Sequence, residues 1–101
     1  MSNRLNGKIA VVTGGAKGLG RSIAEKFQKE GCEIIICDVL SSEAKIVAKN
    51  LKGNSFKLDV SNSEQVSDIF NDINNLYNKI NILVNNAGIN GFENRPDIIE
   101  E

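Results

Sequence analysis

Near the N-terminus the run Gly14-Gly15-Ala16-Lys17-Gly18-Leu19-Gly20 follows a short apolar stretch, KIAVVT, and precedes a segment of helical periodicity. Each of three glycines has a job there. Gly14 lets the chain leave a strand sharply, because a residue without Cβ tolerates backbone angles that others avoid. Gly18 offers no side chain, so a pyrophosphate can approach the backbone. Gly20 lets the new helix press against the sheet. The helix that follows aims its free N–H groups and the positive end of its dipole at an anion. Together these are the requirements of a dinucleotide cradle. The spacing is G-x-x-x-G-x-G rather than the general G-x-G-x-x-G, and glycine-rich turns also serve as plain connectors. The position of this one, between a strand and a helix, is the context a cradle needs.

Asp38 closes the second apolar run. A carboxylate there can accept hydrogen bonds from both hydroxyls of the adenosine ribose and would repel a 2′-phosphate, which selects NAD over NADP. Lys17 pulls the other way, since a lysine in the loop can meet a 2′-phosphate. Asp38 is expected to prevail: it faces the 2′ position directly, and Val39 after it offers no cation. The cofactor expected is therefore NAD.

Alternating elements must position these residues. Residues 8–13 and 33–38 (EIIICD) are apolar enough to be buried strands. Residues 21–30 form a helix, with Leu19, Ile23 and Phe27 along one face and Gly31 as its stop. Residues 42–51 form a second helix with Ala44, Val47, Ala48 and Leu51 inward, closed by Lys52-Gly53-Asn54. A third strand covers 55–59. Ser61 and Glu64 read as an S-x-x-E capping box that opens a third helix, whose stripe is Val66, Ile69, Phe70, Ile73 and Tyr77. Residues 82–85 form a fourth strand, and Pro96 opens a further helix over 97–101. The order β-α-β-α-β-α-β calls for an α/β, Rossmann-type, doubly wound parallel sheet in one domain spanning residues 1–101, with right-handed crossovers.

Bulk properties exclude other classes. The 101 residues, 41% hydrophobic and 25% charged, suit one soluble domain. A net charge of -1 offers no basic surface for nucleic acid. Without histidine, His-based triads and His-bearing zinc sites are absent. Cys32 and Cys37 are too few for a metal site, and Cys37 is expected as a buried, reduced thiol. No metal is expected. Residues 1–7 are polar and no apolar run reaches membrane-spanning length, so no membrane association is expected and the expected setting is cytoplasmic.

The sequence resembles the short-chain dehydrogenase/reductase family, close to single-domain members of the oxoacyl-carrier-protein reductase and glucose or gluconate dehydrogenase type. Three motifs carry the resemblance. Thr13-Gly14-Gly15-Ala16-Lys17-Gly18-Leu19-Gly20 matches the family's T-G-x-x-x-G-x-G loop. Asp59-Val60 is similar to its adenine-contacting pair. Asn85-Asn86-Ala87-Gly88 is similar to its N-N-A-G segment after the fourth strand. The resemblance implies a strand order 3-2-1-4. It implies a cofactor site made of Gly14, Lys17, Gly18, Leu19, Gly20, Asp38, Asp59, Val60, Asn86, Ala87 and Gly88. Asn86 and Ala87 would lie along the adenosine ribose, and Gly88 would leave room for the cofactor. Local turn capping is the competing role for Asn85 and Asn86, and Asn85 is shared between that role and bracing the sheet.

The family's active site, as the resemblance implies, uses Ser, a Y-x-x-x-K pair and an Asn on the helix after the fourth strand. None of these positions exists here. The sole tyrosine, Tyr77, is followed at the fourth place by Asn81 and sits on the core stripe. No catalytic residue is therefore assigned. The chain is expected to be the N-terminal part of a longer enzyme, cut after the fourth strand, which would leave that strand as an exposed edge. The parent is expected to move hydride between NAD(H) and a secondary alcohol or ketone, as a homo-oligomer. Two alternatives stand beside it: a non-catalytic nucleotide-binding module, and a fragment that pairs with a full-length relative.

Overall fold

A computed structural model describes residues 5–86 and 97–100, the last four by backbone alone. Five strands form one sheet in the order β3-β2-β1-β4-β5. These are β1 (Ile9–Thr13), β2 (Glu33–Asp38), β3 (Asn54–Lys57), β4 (Ile82–Asn85) and β5 (Asp97–Glu100). The helices are α1 (Gly18–Lys29), α2 (Ser41–Asn50) and α3 (Ser63–Tyr77). The first four strands run parallel, in the predicted order 3-2-1-4.

Side chains alternate across the central strands β1 and β2 and both faces are covered, which is why these two read as apolar runs. Ala10, Val12, Ile34, Ile36, Ile82 and Val84 pack with Ala24 of α1 and Ala44, Val47 and Ala48 of α2. Ile9, Val11, Ile35 and Cys37 face the other way, with Ile73 of α3. The predicted stripes of α2 and α3 are the ones that pack: Leu51 joins the first cluster, and Val66, Ile69, Phe70 and Tyr77 the second.

Four expectations change. Asp97–Glu100 is not a helix but a strand, antiparallel to β4, with Asn85 opposite Asp97 and Ile82 opposite Glu100. The fourth strand is therefore not a bare edge. Its unpaired N–H and C=O groups are a template that a nearby extended segment satisfies, and that tertiary demand outweighs local helical preference. Leu19 does not lie on the inner face of α1. It is 49% exposed, and the small residues Gly20 and Ala24 are the ones buried. Ile23 and Phe27, the other two predicted residues, do pack against the first cluster; at the helix start the passage over the loop leaves no room for a side chain at Gly20. Ser61 does not cap α3. Asn62 does, its side chain accepting from Gln65 N, while the Gln65 side chain reaches back to Asp59 N. The cap thus falls one residue later than predicted and is not the reciprocal box, because Gln65 bonds Asp59 N and the Asn62 N–H goes to Asp59 O. The third strand ends at Lys57, leaving Leu58 and Asp59 beyond it.

Candidate functional site

The site lies at the carboxyl ends of the parallel strands, around the switch point between β1 and β4, where this architecture binds ligands. The loop from β1 to α1 is pinned on two sides. Gly14 N donates to Cys37 O of β2 at 2.7 Å, and Asn86 Nδ2, beyond β4, donates to Gly14 O at 3.3 Å. Gly14 has φ +66° and Gly18 φ +58°, left-handed angles that disfavour any residue with a Cβ. A Cβ on Gly18 would meet nothing within 4 Å, so the space above it is open. Gly20 is the reverse: a Cβ there would stand 2.1 Å from Gly14 O and 2.7 Å from Asn86 Nδ2. Its glycine is required by the close passage of α1 over the loop.

The N-terminus of α1 carries no side-chain cap and no acidic residue in its first turn. Asn62, by contrast, caps α3. Lys17, Gly18 and Leu19 are all exposed at that end. The helix therefore presents first-turn N–H groups and its positive dipole end beside a gap that a side chain does not fill, a geometry suited to an anion.

Asp38 is 8% exposed. Its Oδ2 accepts from Ala16 N at 3.1 Å and its Oδ1 from Leu40 N at 3.0 Å. It thus braces the glycine loop and the start of α2. A carboxylate has about four acceptor sites, so both oxygens keep capacity for a further donor. The backbone carbonyl of Asp38 also accepts from Leu58 N at 3.1 Å. Asp59 is exposed and accepts from Ser61 N at 3.0 Å and from Ser61 Oγ at 2.7 Å. The Ser61 hydroxyl first, then the Ser61 amide, hold its carboxyl below the usual range. Val60 is half-buried and lines a cavity of about 140 Å³ with Thr13, Leu58, Val66, Phe70, Leu83 and Asn85. Ala87 and Gly88 fall outside the described residues.

Two participants are missing from the cofactor site expected from the sequence. Thr13, 2% exposed, ties β1 to β4: its Oγ1 accepts from Asn86 N at 3.0 Å and lies 3.3 Å from Val84 O and 3.4 Å from Asn85 Oδ1. Its place beside the first glycine was the available signal. Asn85 accordingly braces the sheet. The second is Glu43, in the first turn of α2, whose Oε2 lies 3.7 Å from Lys17 Nζ. Opposite charge was visible in the sequence; proximity was not. Tyr77 packs against the second core cluster and its hydroxyl accepts from Asn54 Nδ2 at 3.1 Å. Both cysteines are buried and free. Burial first, then the Asp38 charge, push the Cys37 thiol up to about 12.

Residues 8–101 match the family model for short chain dehydrogenases. The chain belongs to that family. It is 38% identical to 3-oxoacyl-[acyl-carrier-protein] reductase FabG of Aquifex aeolicus over 95 residues, covering 88% of this chain and 38% of that protein. With the NAD-dependent glycerol dehydrogenase of Listeria innocua it shares 33% identity over 97 residues, covering 93% of this chain and 38% of that one. A 3-ketoacyl-(acyl-carrier-protein) reductase from Brucella melitensis, solved as a complex with NADH, superposes with a TM-score of 0.79 at 33% identity. That match covers 84% of this chain and 36% of the other. The chain thus spans little more than a third of the length of these relatives.

Proposed function

We propose that this chain is the nucleotide-binding half of an NAD(H)-dependent oxidoreductase acting between a secondary alcohol and a ketone. The observation that carries this reading is the cradle itself: an uncapped helix N-terminus over an open, left-handed Gly18, with Asp38 anchored beside it. NAD, when bound, supplies a hydride acceptor; the chain's residues bind and orient it. Gly18, Leu19 and Gly20 would present backbone N–H groups to the pyrophosphate. The spare acceptor capacity of Asp38 would take the ribose hydroxyls, with Asp59 and Val60 toward the adenine. Asn86 holds the loop in shape from the β4 side. The Listeria and Brucella relatives, named with NAD and NADH, support the choice of cofactor. A cytoplasmic, homo-oligomeric parent is part of the same proposal.

The 101-residue sequence holds no Y-x-x-x-K pair: its one tyrosine, Tyr77, is followed at the fourth place by Asn81 and packs against the core and Asn54. The chain is therefore proposed to bind nucleotide without turning over alcohols. A competition titration tests this. ADP, AMP and NAD are expected to bind within a few-fold of one another, because the assigned contacts are all to the adenosine half and the pyrophosphate. Far tighter binding of NAD than of ADP, or alcohol oxidation by the purified chain, would reveal a nicotinamide site that the assigned residues do not supply.

A further inference from the structure

Asp38 is tied both to the glycine loop beside Lys17 and to the start of the helix that carries Glu43. The bond from Ala16 N to Asp38 Oδ2 fixes the loop residue just before Lys17 against that carboxylate. The bond from Leu40 N to Asp38 Oδ1 fixes the start of α2 there as well, and Ala44 N to Leu40 O, at 2.8 Å, begins the helix that carries Glu43. Lys17 pairs with Glu43, with Nζ 3.7 Å from Oε2. Lys17 is the one cation between Gly14 and Gly20. The next along the chain, Arg21, is held by Glu25 at 3.2 Å. If the ribose hydroxyls sit at Asp38, as the proposed function has it, a 2′-phosphate would enter among Lys17, Asp38 and Glu43. A lysine free to turn toward it would offset the repulsion from Asp38 and weaken the preference for NAD.

We propose that Glu43 is a specificity-determining residue: by pairing with the Lys17 ammonium, it withholds the loop's cation from a 2′-phosphate. Discrimination against NADP then rests on Glu43 as well as Asp38. The pair is exposed, with the lysine side chain 68% and the glutamate 45% accessible, so its strength is that of a surface ion pair and salt screens it. The effect is correspondingly modest, about fivefold in the ratio of NADP to NAD affinity. Lys17 is exposed and Glu43 half-buried, and neither belongs to a core cluster.

The inference rests on the nucleotide-binding reading, and the test separates the two. The full chain and its Glu43→Gln, Lys17→Gln and doubly substituted forms are titrated with NAD and NADP in competition with ADP at low salt. Circular dichroism checks that each is folded. The NADP-to-NAD affinity ratio is expected to rise about fivefold in Glu43→Gln, to lose most of that gain when Lys17→Gln is added, and to converge on the unmodified value at high salt. A ratio in Glu43→Gln unchanged from the unmodified chain overturns the proposal. So does a gain of equal size without Lys17, which would assign the effect to Glu43 repulsion alone. Failure of ADP and NAD to bind the unmodified chain would instead bring down the nucleotide-binding reading, and this proposal with it.

Discussion

Gly20→Ala separates a packing requirement from a helix preference, because the two act in opposite directions. Gly20 lies in the first turn of α1, where alanine is the better helix former by up to about 1 kcal/mol. Were there room, the substitution would stabilise the chain. The structure leaves none: the new Cβ would stand 2.1 Å from Gly14 O, against about 3.3 Å for an ordinary carbon–oxygen contact. Gly14 cannot step aside freely, since its N–H is bonded to Cys37 O and its carbonyl to Asn86 Nδ2. Either α1 moves outward by roughly an ångström or the loop gives up those bonds. Overpacking costs about 1–3 kcal/mol and a lost hydrogen bond about 1 kcal/mol. After the helix gain the net loss is about 2 kcal/mol. With a urea slope of about 1–1.5 kcal/mol/M for a chain this small, the midpoint of unfolding should fall by about 1–2 M. Urea titration followed by circular dichroism reads this directly. A midpoint equal to or above that of the unmodified chain would refute the argument, because the close passage of α1 over the loop would then not exist.

The remaining predictions concern the same region. Gly18→Ala should cost about 1–2 kcal/mol from its left-handed angle alone and weaken ADP binding further, by filling the open space; unchanged ADP affinity in a folded variant would make the loop a mere connector. Asp38→Ala should lower stability by about 1–3 kcal/mol, because the buried Ala16 N–H loses its acceptor, and should relax the NAD preference; equal NAD and NADP affinities in the unmodified chain would sink the second part. Asp59, with its pKa lowered by Ser61, contributes stability that is present above the unfolded carboxyl pKa and lost as pH falls through the lower folded one. Ser61→Ala should move the Asp59 pKa part of the way back up, as followed by NMR titration of its carboxyl carbon, and an unmoved pKa would mean that the Ser61 hydroxyl is not its main cause. With its thiol raised to about 12 and only 1% exposed, Cys37 should resist a thiol-specific disulfide reagent at pH 8 until the chain unfolds. Rapid labelling of Cys37 in the folded chain would contradict its burial.

Much of this was legible in the sequence, for a definite reason. β2 and β4 carry their boundaries in the chain because a strand buried on both faces must be apolar throughout, and such a run is visible without knowing its neighbours. The α2 and α3 stripes followed in the same way, since their periodicity is a local property. The glycine loop was equally clear, because positive φ and missing side chains are written in residue type. Most of what was misread depended on a second segment. Leu19 is the larger apolar residue, but α1 lies so close to Gly14 that Gly20 and Ala24 face inward instead. Residues 97–100 are a strand because β4 offers an unpaired edge, which no local pattern announces. Asp38 could be assigned to a ribose from its place in the chain, yet its bonds to Ala16 and Leu40 exist only once β2 lies beside β1. The pairing of Lys17 with Glu43 likewise joins two elements that only the folded sheet brings within 3.7 Å. Residue type and periodicity thus determine which elements form and where the glycine loop falls. Contacts between elements, set by the sheet, decide how tightly the cradle is held and which charges reach it.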